Sequence, residues 1–446
     1  MTTCLARLVE LATKPDFAKL QAAFPERYPA VLESAASGAP LGRYDILCRS
    51  GSDALTLRAD GSLIGRFGEY RGFLTALDAW WSAERVDPEP VSLPFIGGWC
   101  LYLSYELAGE LEPSLHLPRT GGPVAHAVRC PAAAVFDHAC GQTWVVGESG
   151  SEAMLDALEA DLRVALDRPP VHVPDLVFQE DDPEAYLRAV GLALEHIGSG
   201  DIYQANLSRK WRAAVPAGQT AFGFYDRLRR ANPGPFAGMM TLPGMQVLST
   251  SPERLVEVRE GWAQTRPIAG TRARAPDDEA AIAELVESAK ERAEHVMLID
   301  LERNDLGRIC EPGSVQVSEF GVVESYSHVH HLVSNVRGKL LSTATPGGVI
   351  RALFPGGTIT GCPKVRCMEL IGAIEGSGRG AYTGSFGYLN RDGTLDLNIL
   401  IRTATLADGV IEVRAGAGIV ADSVPQRELD ETRAKARGLL RGLGVR

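Results

Sequence analysis

Two stretches of the chain place carboxylates at helical spacing. In ESAKERAEHVMLID (287–300), Glu287, Glu291 and Glu294 fall at i, i+4 and i+7, on one helical face. Like charges so spaced repel by a few tenths of a kcal/mol per pair. Taken alone, the face fits a solvated surface balanced by Lys290 and Arg292. In PQRELDETRAKAR (425–437), Glu428, Glu431 and Lys435 again share one face, which also fits a surface Glu431–Lys435 pair. This second stretch follows RAGAGIVADS (414–423), whose glycines let backbone N–H groups come close to a ligand. Carboxylates from two separate helices are also what Mg²⁺ uses, with waters and an anionic substrate completing its octahedron.

Three further segments carry chemistry. FPGGTITGCPKVRCMEL (354–370) has a tight Gly356-Gly357 turn, then Thr358, Gly361, Pro363 and Lys364 opening a helix. A helix N-terminus favours an anion. The stretch is not a nucleotide-binding GxxxxGK[ST] loop, so a carboxylate or similar small anion is expected. SPERL (251–255) offers Glu253 as a general acid or, more plainly, a surface glutamate. TRPIAGTRAR (265–274) sets Ala269 and Gly270 among arginines.

These segments need a scaffold, and composition bounds it. The 446 residues are 45% apolar and 23% charged, ordinary for a globular protein of one large or two to three smaller domains. A net charge of −11 argues against nucleic acid or an anionic membrane as partner. There is no apolar run of 18 residues and no signal-type N-terminus, and the eight cysteines form no CxxC pair, which together read as cytoplasmic. A proline-rich seam at 166–186 divides a region of short strands from one of longer helices and Gly-punctuated strands. Asp182-Pro183 predicts a helix start, with Tyr186, Val190, Ala193 and Ile197 as its buried stripe. DIYQANLSRKWRAAV reads as a strand. Single helices are expected over about 278–300 and 425–442, with another from Pro363, and the run 381–421 as one antiparallel meander. The sum is an α+β fold, a large layered α/β sandwich of antiparallel sheets flanked by helices.

In order, the blocks SPERLVEV, TRPIAGTRAR, SAKERAEHVMLIDLERNDLGRIC, YSHVHHLVSNVRG, LFPGGTITGCPKVRCMEL, RGAYTGSFGYL and RAGAGIVADSVPQRELDETRAKA resemble those of the chorismate-utilising enzymes. The likeness spans residues 180–446, a chorismate-binding catalytic region. Residues 1–170 resemble the N-terminal region of the component I synthases, and VLESA (31–35) resembles the Leu-Glu-Ser motif of their tryptophan-feedback site. The resemblance implies chorismate as substrate and Mg²⁺ as cofactor. Glu294 and Glu431 are then metal ligands, backed by Glu291 and Glu428. Tyr388, Arg402, Lys435 and the backbone of Gly416, Ala417 and Gly418 are carboxylate anchors. Gly270, Thr271 and Thr358 line the site, His331 lies near the ring, and Glu253 protonates the departing 4-hydroxyl. His328 and His330 are read as core or surface residues. Water-adding relatives carry a lysine where this chain has Gln204, so the likeness implies the ammonia-using branch, with a glutamine amidotransferase subunit as partner. Within that branch Ala269 resembles anthranilate synthases. The GCPKVRC, GRYDIL and GGWCLYLSYELA segments resemble aminodeoxychorismate synthase component I, the expected activity.

Overall fold

GWCLYL (98–103) and SFGYLN (385–390) are buried along their whole length, and they pair with each other inside one sheet. Strands covered on both faces need no polar alternation, which is why both segments read as nearly continuous apolar runs. The computed structural model describes residues 4–35, 42–89, 91–164, 173–274, 278–326 and 329–445; within these, the side chains of Thr271, Ala273, Ala281, Ala289 and Lys290 are left out of the description.

Among the described residues two large antiparallel sheets form. The first runs in the order Cys4–Val9, Gln142–Glu148, Ala132–Asp137, Tyr44–Arg49, Ala30–Glu33, Phe236–Leu242, Met245–Ser251, Thr403–Ala407, Val410–Ile419, Gln204–Ala214 and Gln179–Glu180. The second runs Ile268–Ala273, Val329–Lys339, Trp262–Thr265, Arg254–Arg259, Leu395–Asn398, Ser385–Asn390, Gly98–Leu103, Ala125–Cys130, Ala54–Leu57 and Leu63–Gly65. Both sheets draw strands from either side of the 166–186 seam. Ile46, Cys48 and Met240 of the first sheet meet Cys100, Tyr102 and Phe386 of the second in a shared core. Helices Phe73–Glu84 and Pro346–Leu353 cover the outer face of the second sheet, and Glu152–Arg163 and Ala221–Ala231 that of the first. The α+β sandwich is the architecture expected.

The helix Pro183–Gly198 starts where predicted, with the Asp182 side chain accepting from the Glu184 N–H and with Tyr186, Val190 and Ala193 buried. Two expectations are corrected. The single helix over 278–300 is two, Asp278–Glu287 and Ala289–Gly307. Ser288 separates them in an extended conformation, its hydroxyl accepting from the Glu291 N–H at 3.3 Å. A serine that satisfies a first-turn N–H stabilises a helix start better than a helix interior. Glu287 therefore belongs to a different helix from Glu291 and Glu294. The meander over 381–421 is also split. Its first two strands lie in the second sheet and its last two in the first, so the chain changes sheets between Asn398 and Thr403. Arg402, at φ 50°, sits in that crossing.

Candidate functional site

The strands Gln204–Ala214 and Val410–Ile419 pair so that Asn206 faces Gly418 and Ser208 faces Gly416. Their alternate residues Ala205, Leu207, Ala417 and Ile419 pack into a core with the helices Pro183–Gly198 and Lys364–Glu375. The sheet thus has one apolar side and one side of amides and bare backbone. A Cβ at Gly416 would stand 2.6 Å from Tyr382 Oη and 2.7 Å from Asn206 Oδ1; one at Gly418 would stand 2.5 Å from Gln204 Nε2. The AGAG pattern keeps the surface open for these polar groups to approach. The Lys435 ammonium, from the last helix (Pro425–Gly442), donates to Gly416 O at 3.1 Å and pairs with Glu431 at 2.7 Å.

Glu253 and Thr358 come from opposite sides of this cleft. The Thr358 hydroxyl, on the Gly357–Ile359 turn, donates to Glu253 Oε1 at 2.7 Å. Glu253 is 6% exposed, and burial pushes its carboxyl up to about 7. The Thr358 hydroxyl, Arg402 and Lys435 pull the other way, and Glu302 reinforces the rise. Burial in turn weakens the proton hold of the Arg402 guanidinium, which Glu253 partly offsets. A carboxyl held near neutrality is poised to give up a proton at working pH.

The third wall is the pair Ile268–Ala273 and Val329–Lys339, where Thr271 faces His331 and Ala269 faces Leu332 across a bulge. Gly270 occupies the bulge at φ 69°, and a Cβ there would stand 2.8 Å from Glu291 Oε2. Only glycine gives both the backbone angle and the space. Burial, then Arg402, drive the His331 imidazole down to about 4, so it is neutral at physiological pH. Its ring meets Tyr326 edge-on at 5.6 Å. Glu291 pairs with Arg272 at 3.1 Å. Less than one helical turn further on, Glu294 reaches the Gln204 amide, whose Nε2 donates to Glu294 Oε1 at 3.4 Å.

Hydrogen bonds, close approaches and charge interactions thus link Gln204 with Glu294 and Gly418, Gly270 with Glu291 and His331, Thr358 with Glu253, Glu253 and His331 with Arg402, and Lys435 with Glu253, Gly416 and Glu431. Ala269 is buried next to Gly270, Ala417 faces the opposite side of its strand, and Glu428 is buried on the last helix. The Thr271 side chain and His328 lie outside the described residues. His330 is a core residue, 1% exposed between Ser325 and Asp278.

Tyr388 is a correction. It sits on a strand of the second sheet with its ring against Phe95, at a different cavity of about 550 Å³ that Leu32, Glu33 and Ser34 also line. The tyrosine at the cleft is Tyr382, six residues earlier, whose hydroxyl donates to Asn206 Oδ1 at 3.4 Å. The buried Arg379 over its ring, itself paired with Glu375 at 2.7 Å, holds it there. The RGAYTGSFGYL segment offers two tyrosines, and only the sheet crossing decides between them. Tyr382, Asn206 and Glu302 lie in segments that the sequence singles out, yet nothing in their spacing gives any of them a role.

For a metal, the candidate donors Glu294 and Glu431, with Glu291 and Glu428, are all hard oxygen ligands on two helices: Ala289–Gly307, which packs on the strands Ile268–Ala273 and Val329–Lys339, and Pro425–Gly442, which packs on Val410–Ile419. Among the described residues no three His, Cys, Asp or Glu side chains close into a cage. That donor set fits Mg²⁺, which takes few protein carboxylates and keeps waters and substrate oxygens.

A buried carboxyl at Glu253, the cations Arg402 and Lys435 and two carboxylate-bearing helices, inside a two-sheet sandwich, are what an enzyme acting on a small anionic substrate needs. The model of the chorismate binding enzyme family matches residues 68–441, and the chain belongs to that family. It is a chorismate-utilising synthase. It is 43% identical over 378 residues to anthranilate synthase component 1 of Thermus thermophilus, covering 81% of each chain. It is 36% identical over 439 residues to aminodeoxychorismate synthase component 1 of Bacillus subtilis, covering 94% of this chain and 92% of that one. The crystal structure of anthranilate synthase component I from Streptococcus pneumoniae superposes with a TM-score of 0.82 at 32% identity, over 90% of this chain and 92% of that one. No helix among the described residues is long and apolar enough to cross a membrane.

Proposed function

We propose that this protein is aminodeoxychorismate synthase component I, converting chorismate and ammonia to 4-amino-4-deoxychorismate and water, with ammonia delivered by a glutamine amidotransferase subunit. Gln204 carries the choice of ammonia over water. It is 4% exposed, its Nε2 is engaged by Glu294, and its buried Oε1 has no hydrogen-bond partner among the described residues. An amide cannot deprotonate water at neutral pH, yet a carbonyl oxygen accepts an N–H from ammonia, which needs no activation.

Arg402, Lys435 and the backbone at Gly416 and Gly418 hold the substrate carboxylates. Glu253 protonates the leaving 4-hydroxyl, so that water and not hydroxide departs. Neutral His331 adds no charge beside the ring. Glu294 and Glu431 would hold Mg²⁺, which would supply positive charge to offset the substrate's negative charge. With alanine at 269 no side-chain amine can attack C2. One ammonia therefore adds at C2 as the 4-hydroxyl leaves, and a second adds at C4 as the first departs. Formation of the 4-amino product is supported by the resemblance of the GCPKVRC segment to that of aminodeoxychorismate synthases and by the aminodeoxychorismate synthase component 1 of Bacillus subtilis, 36% identical over 439 residues.

Ala269 favours a second reading, anthranilate synthase component I, in which the C2 adduct loses pyruvate. A product assay separates them. Protein, chorismate, Mg²⁺ and ammonium salt at mildly alkaline pH should give p-aminobenzoate only when aminodeoxychorismate lyase is added. Fluorescent anthranilate without lyase would establish the second reading.

A further inference from the structure

The reaction as derived leaves one buried carboxyl at the cleft unused. Glu302, on the helix Ala289–Gly307, is 7% exposed. It lies against the same short turn as Glu253, on the next residue. Thr358 of that turn donates to Glu253, while a Cβ on Gly357 would stand 3.2 Å from Glu302 Oε1 and strike Leu301. Glycine at 357 is what lets this helix bring its carboxyl so close.

We propose that Glu302 is a positioning residue for the acid: its buried negative charge, across the Gly357–Thr358 turn, keeps the proton on the Glu253 carboxyl that faces the substrate. This rests on Glu253 being the acid. The charged neighbours of Glu253 are Arg402 and Lys435, both of which favour its ionised form, and Glu302, which opposes them. Burial is the largest cause of the held proton, and Glu302 adds to it against the two cations and the Thr358 hydroxyl. Burial disfavours the charged form of Glu302 most, and Asp305 adds to that; Lys364 and the Gly357 amide favour it. Asp305 holds the Lys364 ammonium directly, so the cation acts on Glu302 from behind and does not neutralise it by contact. Burial brings Glu302 up to about 7 as well, so the two carboxyls titrate in the same range as a like-charged pair.

The test is the pH dependence of kcat/KM for chorismate. In the unmodified protein activity should fall as pH rises through about 7, where Glu253 loses its proton. In Glu302→Gln that limb should move down by about one pH unit, a roughly tenfold loss at pH 8 with near-normal activity on the acid side. Glu302→Asp, which keeps the charge, should restore the limb. Lys364→Gln, which withdraws a positive charge that favours the ionised Glu302, should move it the same way by less. A Glu302→Gln protein that loses activity equally at every pH, with the limb in place, would overturn the proposal. If that variant does not fold, an unmoved limb in Lys364→Gln does the same. Failure of the underlying assignment looks different: Glu253→Gln would then keep both its turnover and its alkaline limb.

Discussion

Replacing Glu253 by glutamine should stabilise this protein above neutral pH while stopping its chemistry. The Glu253 carboxyl moves from an ordinary 4.5 to about 7 on folding because it is buried. Between those values the folded state binds more protons than the unfolded chain. Its contribution to stability is therefore fully present below pH 4.5 and is lost as pH rises through about 7. A displacement of that size corresponds to about 3 kcal/mol by pH 8. Glutamine keeps an oxygen for the Thr358 hydroxyl but carries no titrating proton. Unfolding entropy of roughly 2 cal/mol/K per residue makes this about 3 °C in Tm for a chain of this length. The assay is thermal unfolding of both proteins at pH 5 and pH 8. The unmodified protein should lose up to about 3 °C more than the variant between the two, while the variant's turnover falls roughly 10²–10⁴-fold. Equal pH slopes in the two proteins would show that Glu253 is not a buried proton holder, whatever its effect on turnover.

Other outcomes follow from particular contacts. In Gly416→Ala the new methyl would press on Tyr382 Oη at 2.6 Å and the Leu207 carbonyl at 2.7 Å; KM for chorismate should rise about tenfold or more, at a stability cost of about 1–3 kcal/mol, and an unchanged KM would remove this strand from the binding surface. Chelation should abolish turnover and Mg²⁺ restore it, and Glu294→Ala should need at least about tenfold more Mg²⁺; an identical Mg²⁺ titration would take Glu294 out of the ligand set. Gln204→Lys places an amine beside Glu294, 3.4 Å from the present amide nitrogen; isochorismate should appear among the products by chromatography, and its absence would sink the account of why water is not the nucleophile.

Local chemistry made much of this protein legible from its sequence. The Asp182-Pro183 helix start, the strand beginning at Gln204 and the last helix depend on contacts within a few residues, as do the glycines at 416 and 418 that leave a strand bare. The carboxylate faces at 291–294 and 428–431 are visible because a helix repeats every 3.6 residues. What the sequence could not decide was set by distant neighbours. The exception is local: the Ser288 hydroxyl caps the Glu291 amide three residues on, so Glu287 leaves a face that spacing alone assigned to it. Tyr382 and Tyr388 are six residues apart in similar company. The chain's passage between sheets near Arg402 sends the first to the cleft and the second to the cavity beside Glu33 and Ser34. Glu302 lies inside the SAKERAEHVMLIDLERNDLGRIC block, yet nothing in its spacing marks it out. Its role depends on a turn more than fifty residues away pressing a glycine against it, and on the removal of water that raises two carboxyls together. Sequence determined which groups exist and which helices and strands carry them. Only the packing of the two sheets and their helices decided which groups meet, because desolvation and like-charge proximity belong to the folded chain.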